Sequence, residues 1–415
     1  MRLIKVGVIA MAAALVVAAC NTGGGGGTYK VAIELPLQGS ELAASQPIVN
    51  GVRLALKDAG GKAGSFTIEV PDSAIFDDAV NGAHDPQTGA RNMSSIVSDE
   101  DYLAVVGPLN SSVAKAQIPI SNEAGLLQCS PANTNPGLTK PEFGANDLRP
   151  NPDRINYIRV ATTDDIQGPA AAQYIVDVLG KKSVYIIDDT ETFGKGVADA
   201  FEAEFVKRGG TVVAHDGAPK TTTDYVPLLT AAAAKNPEAI YFGGVTATGG
   251  ARILKAAVQA GLGGVPFVGP DGISDGSAET ADSFLNLGGA DAKNSYSTLA
   301  GIGDFPGKAE FNEAYEKEYG IAPTGYAGTG YACMQVVLDA IARASETNPG
   351  DKAAAREAVR VAGTDTTVAY DTILGEVKFD ANGDTSQRII SIYAFDPAGA
   401  NGKGDWAFDT QIDYK

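Results

Sequence analysis

From Thr28 onward, short runs rich in β-branched and aromatic residues alternate with segments whose apolar residues recur at helical spacing, and that order restricts the chain to few architectures. Tyr29 to Leu35, Phe66 to Val70 and Tyr102 to Gly107 carry too few charges for surface strands, so each reads as buried on both faces. Between them, Ile48, Val52, Ala55 and Leu56 lie on one helical face, as do Ala90, Met93, Ile96 and Val97. After strand Leu126 to Cys129, a polar interval from Thr134 to Asn156 interrupts the pattern with Pro136, Pro141, Pro150 and Pro152, which marks a long loop at a domain edge. The alternation then restarts. Strands are expected at Ile155 to Val160, Ser183 to Asp188, Thr211 to His215, Ala239 to Gly243 and Pro266 to Gly269. Helices are expected at Gly168 to Leu179, Gly194 to Lys207, Tyr225 to Ala234 and Gly249 to Ala260. Two successive runs of βα units predict an α/β fold with two doubly wound parallel sheets. The last third breaks the rhythm. Helices are expected at Pro306 to Tyr319, Ala327 to Ser345 and Lys352 to Val361, and strands at Glu376 to Phe379 and Arg388 to Phe395.

The start of the chain reads as a leader. Arg2 and Lys5 precede an apolar segment, Val6 to Ala19, of roughly fourteen residues, the length of a secretory signal. A helical membrane span needs about twenty. Val17-Ala18-Ala19-Cys20 has the small residues and the cysteine of a lipobox, so Cys20 is expected to be lipidated after removal of residues 1 to 19. Gly23 to Gly27 then reads as a flexible tether. Cleavage removes two basic residues and no acid, taking the net charge from −18 to −20. Such acidity argues against a nucleic-acid partner. The 396 residues that remain are more than one core comfortably serves, and two domains are expected. Besides Cys20 the chain has Cys129 and Cys333, which are either a disulfide or two buried thiols.

No GxSxG nucleophile elbow, no P-loop GxxxxGK[ST] and no HExxH is expected. His84 and His215 read as surface or loop residues, without the neighbours of a metal site or a catalytic base. Asp380, Asn382 and Asp384 suggest a calcium loop, but Thr385 and Ser391 stand where the glycine and the bidentate acid are needed, so a turn is expected. Polar residues do collect where predicted strands end, the place where open α/β sheets form their ligand crevice. Asn110, Ser111 and Ser112 open a helix after Tyr102 to Gly107, either as an anion-receptive terminus or as a plain cap. Ser130 to Thr134 form another strand-end loop. In the second half, Phe193 lies beside Gly194, and Asp271 sits in the turn Gly269-Pro270-Asp271-Gly272. An anion-receptive end on one unit and a carboxylate on the other suit a zwitterion such as an amino acid.

At these motifs the chain resembles the type I periplasmic solute-binding proteins, in particular the branched-chain amino-acid (Leu/Ile/Val-binding) group. The resemblance runs from Tyr29 nearly to the C-terminus. It is carried by Asp164-Asp165-Ile166-Gln167-Gly168-Pro169-Ala170-Ala171, Phe193-Gly194-Lys195-Gly196, Tyr241-Phe242-Gly243-Gly244, Gly269-Pro270-Asp271-Gly272, Ser130 to Thr134, and Lys378-Phe379-Asp380 with Gly383-Asp384. It implies two Rossmann-like lobes joined by three crossovers, with residues 28–160 plus 301–372 forming one lobe and 161–300 plus 373–415 the other. The lobes would close on ligand bound between them. It further implies that Ser111 and Thr134 hold the ligand α-carboxylate, that the Ala132 carbonyl and Asp271 hold its ammonium, and that Phe193 lies over it. The chain departs from the family in several places. Asp271 replaces the usual Glu, and Ala44 and Val245 stand where the family carries Tyr, which implies a larger or differently shaped pocket. Asn110 replaces one member of the group's first-lobe cysteine pair. The interval from Thr139 to Asn156 has no counterpart and either rims the cleft or lengthens a surface loop.

The resulting expectation is an extracytoplasmic, lipid-anchored, monomeric binding protein without cofactor or metal, which captures an amino acid for an ABC permease and performs no catalysis. Two alternatives keep the fold: a receptor for a short amide or urea-type solute, and a sensory or regulatory envelope module that contacts a protein partner. An envelope hydrolase would require a nucleophile and base that neither histidine supplies.

Overall fold

The computed structural model describes residues 26–414; the leader, the lipid site Cys20 and most of the glycine tether lie outside the described residues. The first sheet runs, edge to edge, Lys62–Ala63, Phe66–Glu69, Thr28–Leu35, Tyr102–Val106, Leu127–Ser130 and Tyr157–Arg159, with Ile75–Asp77 continuing beside Thr28–Leu35. All its pairings are parallel except the short Lys62–Ala63 edge. The chain lays strands to one side of Thr28–Leu35 and then reverses to the other, so the switch point lies between Thr28–Leu35 and Tyr102–Val106. The loops that leave these two strands therefore face a crevice.

The second sheet repeats the plan in the order Thr211–Gly217, Ser183–Asp188, Ala239–Gly243, Phe267–Gly269, Ser295–Leu299, Ile389–Asp396 and Asp405–Asp413. Here the expectation of a wholly parallel sheet is corrected. Ile389–Asp396 pairs antiparallel with Ser295–Leu299, and Asp405–Asp413 returns antiparallel beside it as a hairpin edge. Ser295–Leu299 escaped notice because three of its four buried side chains are hydroxyls, and Ser297 Oγ donates to the Pro270 carbonyl at 3.0 Å instead of packing apolar surface. Helix Asp164–Asp177 begins four residues before the expected Gly168. Asp164 and Asp165 stand in its first turn, where acids suit the positive end of the helix.

Helices Ala327–Glu346 and Lys352–Gly363 return to the first sheet. Cys333, Met334, Val337 and Ile341 join Val31, Ile33, Val52 and Val106 in one buried core. Each such side chain contributes about 1.5–3 kcal/mol by leaving water. The returning helix lies against Glu41–Asp58 at close range: a Cβ on Gly51 would stand 2.2 Å from the Ala327 carbonyl oxygen, and one on Gly330 would stand 2.9 Å from that of Ile48. Cys129, on strand Leu127–Ser130, and Cys333 are joined as a disulfide, with Cα atoms 6.0 Å apart and a sequence separation of 204.

The chain passes between the two halves after Arg159, after Leu299 and between Val377 and Ile389. These crossings hydrogen-bond to one another: Thr162 N–H to the Ala300 carbonyl at 2.9 Å, Arg159 N–H to the Gly383 carbonyl at 3.1 Å, and Ser391 Oγ to the Gly301 carbonyl at 2.8 Å. Arg159 itself is fully buried. Its Nε donates to Asp384 Oδ1 at 2.7 Å, and its Nη atoms reach the Asn135 carbonyl at 2.7 Å and the Thr139 hydroxyl. One side chain thus ties a crossover to the 133–139 loop. Asp380 accepts the Asn382 and Asp384 N–H groups, the turn expected in place of a calcium loop.

Both histidines correct the sequence expectation. His84 is 3% exposed, with Nδ1 2.7 Å from Glu41 Oε1. Burial opposes its charged form, but Glu41 prevails and holds its pKa above the ordinary value. His215 lies on a strand between Asp188 (2.9 Å) and Glu202 (2.5 Å), and its hydrogen bond to Asp188 leads in raising its pKa.

Candidate functional site

The two switch points face each other across a cavity whose empty space, open solvent included, is about 550 Å³. The loop after Thr28–Leu35 and the start of the helix it leads into contribute Ser40, Glu41 and Ala44; the loop after Tyr102–Val106 and the first residue of its helix contribute Leu109, Asn110 and Ser111; the loop after Leu127–Ser130 contributes Ala132 and Thr134. From the second sheet come Phe193, Val245 to Ala247, and Asp271 to Asp275 apart from Ile273; Gly325 and Tyr326 close the remaining side. Ser111, Ala132, Thr134, Phe193 and Asp271, scattered over 160 positions of sequence, therefore line a single space, together with Ala44 and Val245.

One end of the cavity offers hydrogen-bond donors. Ser111 opens helix Ser111–Ala124 and is buried; its hydroxyl accepts the Asn135 N–H at 3.5 Å. Asn110 occupies the cap position but makes no side-chain cap bond, which corrects the capping expectation, and its Oδ1 is buried without a partner. The free N–H groups of the first helical turn remain available to an anion. The loop carrying Ala132 and Thr134 is held rigid from below. Ser130 Oγ accepts the Asn133 N–H at 2.9 Å, Asn133 Nδ2 donates to the Leu109 carbonyl at 2.7 Å, and Tyr157 donates its hydroxyl to Asn133 Oδ1 at 2.7 Å.

The other side carries Asp271, at the start of a 3-10 turn directly after strand Phe267–Gly269. It is 8% exposed, so it is a buried carboxylate and not an exposed residue of the cleft wall. Gln167 Nε2 donates to one of its oxygens and the Tyr326 hydroxyl to the other. Burial pushes its pKa up to about 6 despite these two donors. Asp164, fully buried nearby with neither oxygen hydrogen-bonded, is driven well above the carboxylate range, first by burial and then by the charge of Asp271. A group that needs a cation thus waits at the wall, and its neighbouring acid is held towards the neutral form.

Sequence reasoning missed Glu41, Asp275 and Tyr326. Glu41 and Asp275 were findable, the first because it follows the first strand's carboxyl end and the second because it lies four residues after Asp271. Tyr326 precedes a distant helix, Ala327–Glu346, and only the return of that helix brings it in. Gly272 to Gly276 spells GxSxG, but it runs from a 3-10 turn into a loop and not from a strand into a helix, and both histidines are engaged elsewhere. The interval from Thr139 to Asn156 does not line the cavity. Its 3-10 turns brace the crossovers instead, with Lys140 Nζ 2.6 Å from Asp165 and Arg149 donating to the Thr139 and Asn382 carbonyls at 3.0 and 3.2 Å. At the cleft rim Asn135 Nδ2 donates to the Thr192 carbonyl at 2.7 Å, and Lys220 Nζ to the His84 carbonyl at 3.2 Å. Among the described residues no group of three or more His, Cys, Asp or Glu is placed to hold a metal ion, and no helix is long and apolar enough to cross a membrane.

A family model described as periplasmic binding protein matches residues 28–400. A leucine-specific-binding protein of Salmonella typhimurium is 26% identical over 391 residues, which cover 94% of this chain and 96% of that protein. A leucine binding protein of Thermotoga maritima shares the fold with a TM-score of 0.76 at 24% identity, covering 93% of this chain and 99% of that one. A solute binding protein of R. palustris in complex with 4-hydroxybenzoate also gives 0.76, at 18% identity, over 94% and 98% of the two chains. At these identities the two structures speak for the fold alone.

Proposed function

Because the chain belongs to the periplasmic binding protein family, we propose that it captures an amino acid in the cleft between its two lobes and delivers it to an ABC permease from a lipid anchor at Cys20. The observation that carries this reading is the pairing of unlike ends in one cavity: the first turn of helix Ser111–Ala124, with the Ser111 hydroxyl, on one lobe, and the buried Asp271 on the other. An α-carboxylate takes the donor end and Thr134; an α-ammonium takes Asp271 and the Ala132 carbonyl, under the Phe193 ring. Because the two charges of the ligand bind different lobes, occupancy favours the arrangement in which both lobes touch it, and closure follows as a population shift. The ligand leaves unchanged.

Titration calorimetry and thermal melting of the protein against the twenty amino acids test this. Saturable binding with a raised melting temperature is expected for at least one amino acid. Binding of acetamide or urea in place of any amino acid would refute it. For the anchor, a Cys20→Ser variant is expected to leave the membrane fraction; retention there would refute lipidation.

A further inference from the structure

Besides the residues assigned to the α-amino and α-carboxylate groups, Ser40, Glu41 and Ala44 line the cavity from the first lobe, and Thr246 and Asp275 from the second. Asp275 is 3% exposed. Its Oδ1 accepts the Phe284 N–H at 2.8 Å, but Oδ2 is buried and accepts no hydrogen bond, the nearby Thr246 hydroxyl being directed to the Gly272 carbonyl at 3.5 Å. Glu41 is as deeply buried, and its Oε1 pairs with His84 Nδ1. Two carboxylates, one from each lobe, therefore border the same space, and no lysine or arginine lines it.

We propose that the captured amino acid carries a second, positively charged nitrogen on its side chain, and that this nitrogen lies between Glu41 and Asp275. Closing two lobes that each bring a carboxylate to one point is opposed by like-charge repulsion unless a cation enters between them. Burial pushes the Asp275 carboxyl up to about 7 against the Phe284 N–H and the neighbouring Thr246 hydroxyl, which lower it, and the charge of Glu41 adds to the rise. His84 offsets Glu41 in part, and the unpartnered Oδ2 of Asp275 remains. A leucine side chain would seal that oxygen against methyl groups; the ammonium or guanidinium of ornithine, lysine or arginine would satisfy it. Ala44 and Val245, which stand where the family resemblance implies Tyr, line the cavity with smaller side chains, and this favours a longer ligand side chain.

This inference rests on the amino-acid reading, and matched ligands separate the two. Titration calorimetry at pH 7.5 compares arginine with citrulline and lysine with norleucine, pairs that differ chiefly in distal charge. The expected result is at least tenfold tighter binding of the charged member in one or both pairs. That advantage should fall at least fivefold in Asp275→Asn, whose Oδ1 still accepts the Phe284 N–H, and in Glu41→Gln, with melting curves confirming that each variant folds. An advantage under tenfold, or one that survives both substitutions, overturns the distal cation. If leucine and norleucine bind and the charged ligands do not, the amino-acid reading stands and only this inference fails. If no amino acid binds, both fail.

Discussion

Replacing Asp271 by Asn separates what the carboxylate costs the fold from what it gives the ligand. In the ligand-free protein the carboxyl is raised from 3.8 to about 6 by burial, and at about 1.4 kcal/mol per pH unit its ionised form costs roughly 3 kcal/mol at neutral pH. The amide removes that cost. It also turns an N–H towards one of the two donors, Gln167 or Tyr326, a mismatch of about 1–2 kcal/mol. The variant without ligand is therefore expected to melt at or slightly above the temperature of the parent. Ligand binding behaves oppositely, because an ammonium stripped of its buried counter-ion loses about 2–5 kcal/mol. That is about thirty-fold to several thousand-fold in Kd. The assay is calorimetry at pH 7.5 with whichever amino acid raises the parent's melting temperature, beside a melting curve without ligand. The sign with pH follows. Below about 6 the parent's Asp271 takes up a proton, so its affinity should weaken as pH falls through that value, and the Asn variant should not share that dependence. A Kd within threefold of the parent refutes the ammonium assignment, and a melting temperature lowered by about 5 °C or more refutes the claim that the fold bears the carboxylate at a cost.

Changing both Cys129 and Cys333 to Ala removes a cross-link spanning 204 residues, worth about 5 kcal/mol by loop closure, so melting is expected to drop by roughly 5 °C; an unchanged melting curve would show that the bond contributes nothing. Arg159→Met leaves Asp384 buried without its partner and frees the Asn135 carbonyl, at an expected cost of about 3–5 kcal/mol in denaturant unfolding together with weaker ligand binding; a variant as stable as the parent would contradict the tie. Glu34 and Asp78 are buried side by side and both raised, Glu34 chiefly by burial and Asp78 by burial and then by Glu34, with Asp77 adding to each and Glu41 to Asp78. Their native pKa values lie above the unfolded ones, so the stability they supply is present below about 4 and is lost as pH rises, through about 7 for Glu34 and on to about 10 for Asp78. Melting at pH 5.5 should exceed that at pH 8, and Asp78→Asn should narrow the gap; equal melting temperatures would refute the raised pair.

Much of this fold is readable from strands such as Tyr102–Val106 and Ala239–Gly243, whose uninterrupted apolar residues admit no exposed face. Once they are placed, the crevice rule leads to Ser111, Ala132, Thr134, Phe193 and Asp271, because the rule needs only where a strand ends. What escaped the sequence was polar matter made tolerable by distant partners. Ser295–Leu299 is buried because Ser297 finds the Pro270 carbonyl, and His84 because it finds Glu41. The hairpin strand Asp405–Asp413 is an exposed edge whose charges mask its period. The burial of Asp271 depends on Gln167, 104 positions earlier, and Tyr326, 55 positions later. Local periodicity cannot report such pairs.

The bond between Cys129 and Cys333 also sets an order of events while the protein is being made. Cys129 belongs to an interior strand of its sheet, yet its partner is synthesised 204 residues later, after the whole parallel part of the other sheet. During that interval Cys129 is a free thiol, and the helix that covers its strand does not yet exist. The only cysteine made before it is Cys20, and a disulfide between those two would trap the strand in the wrong company. Thioether formation at Cys20, as proposed above, would remove that competitor. On this account an early lipid modification also guards the later choice of a disulfide partner.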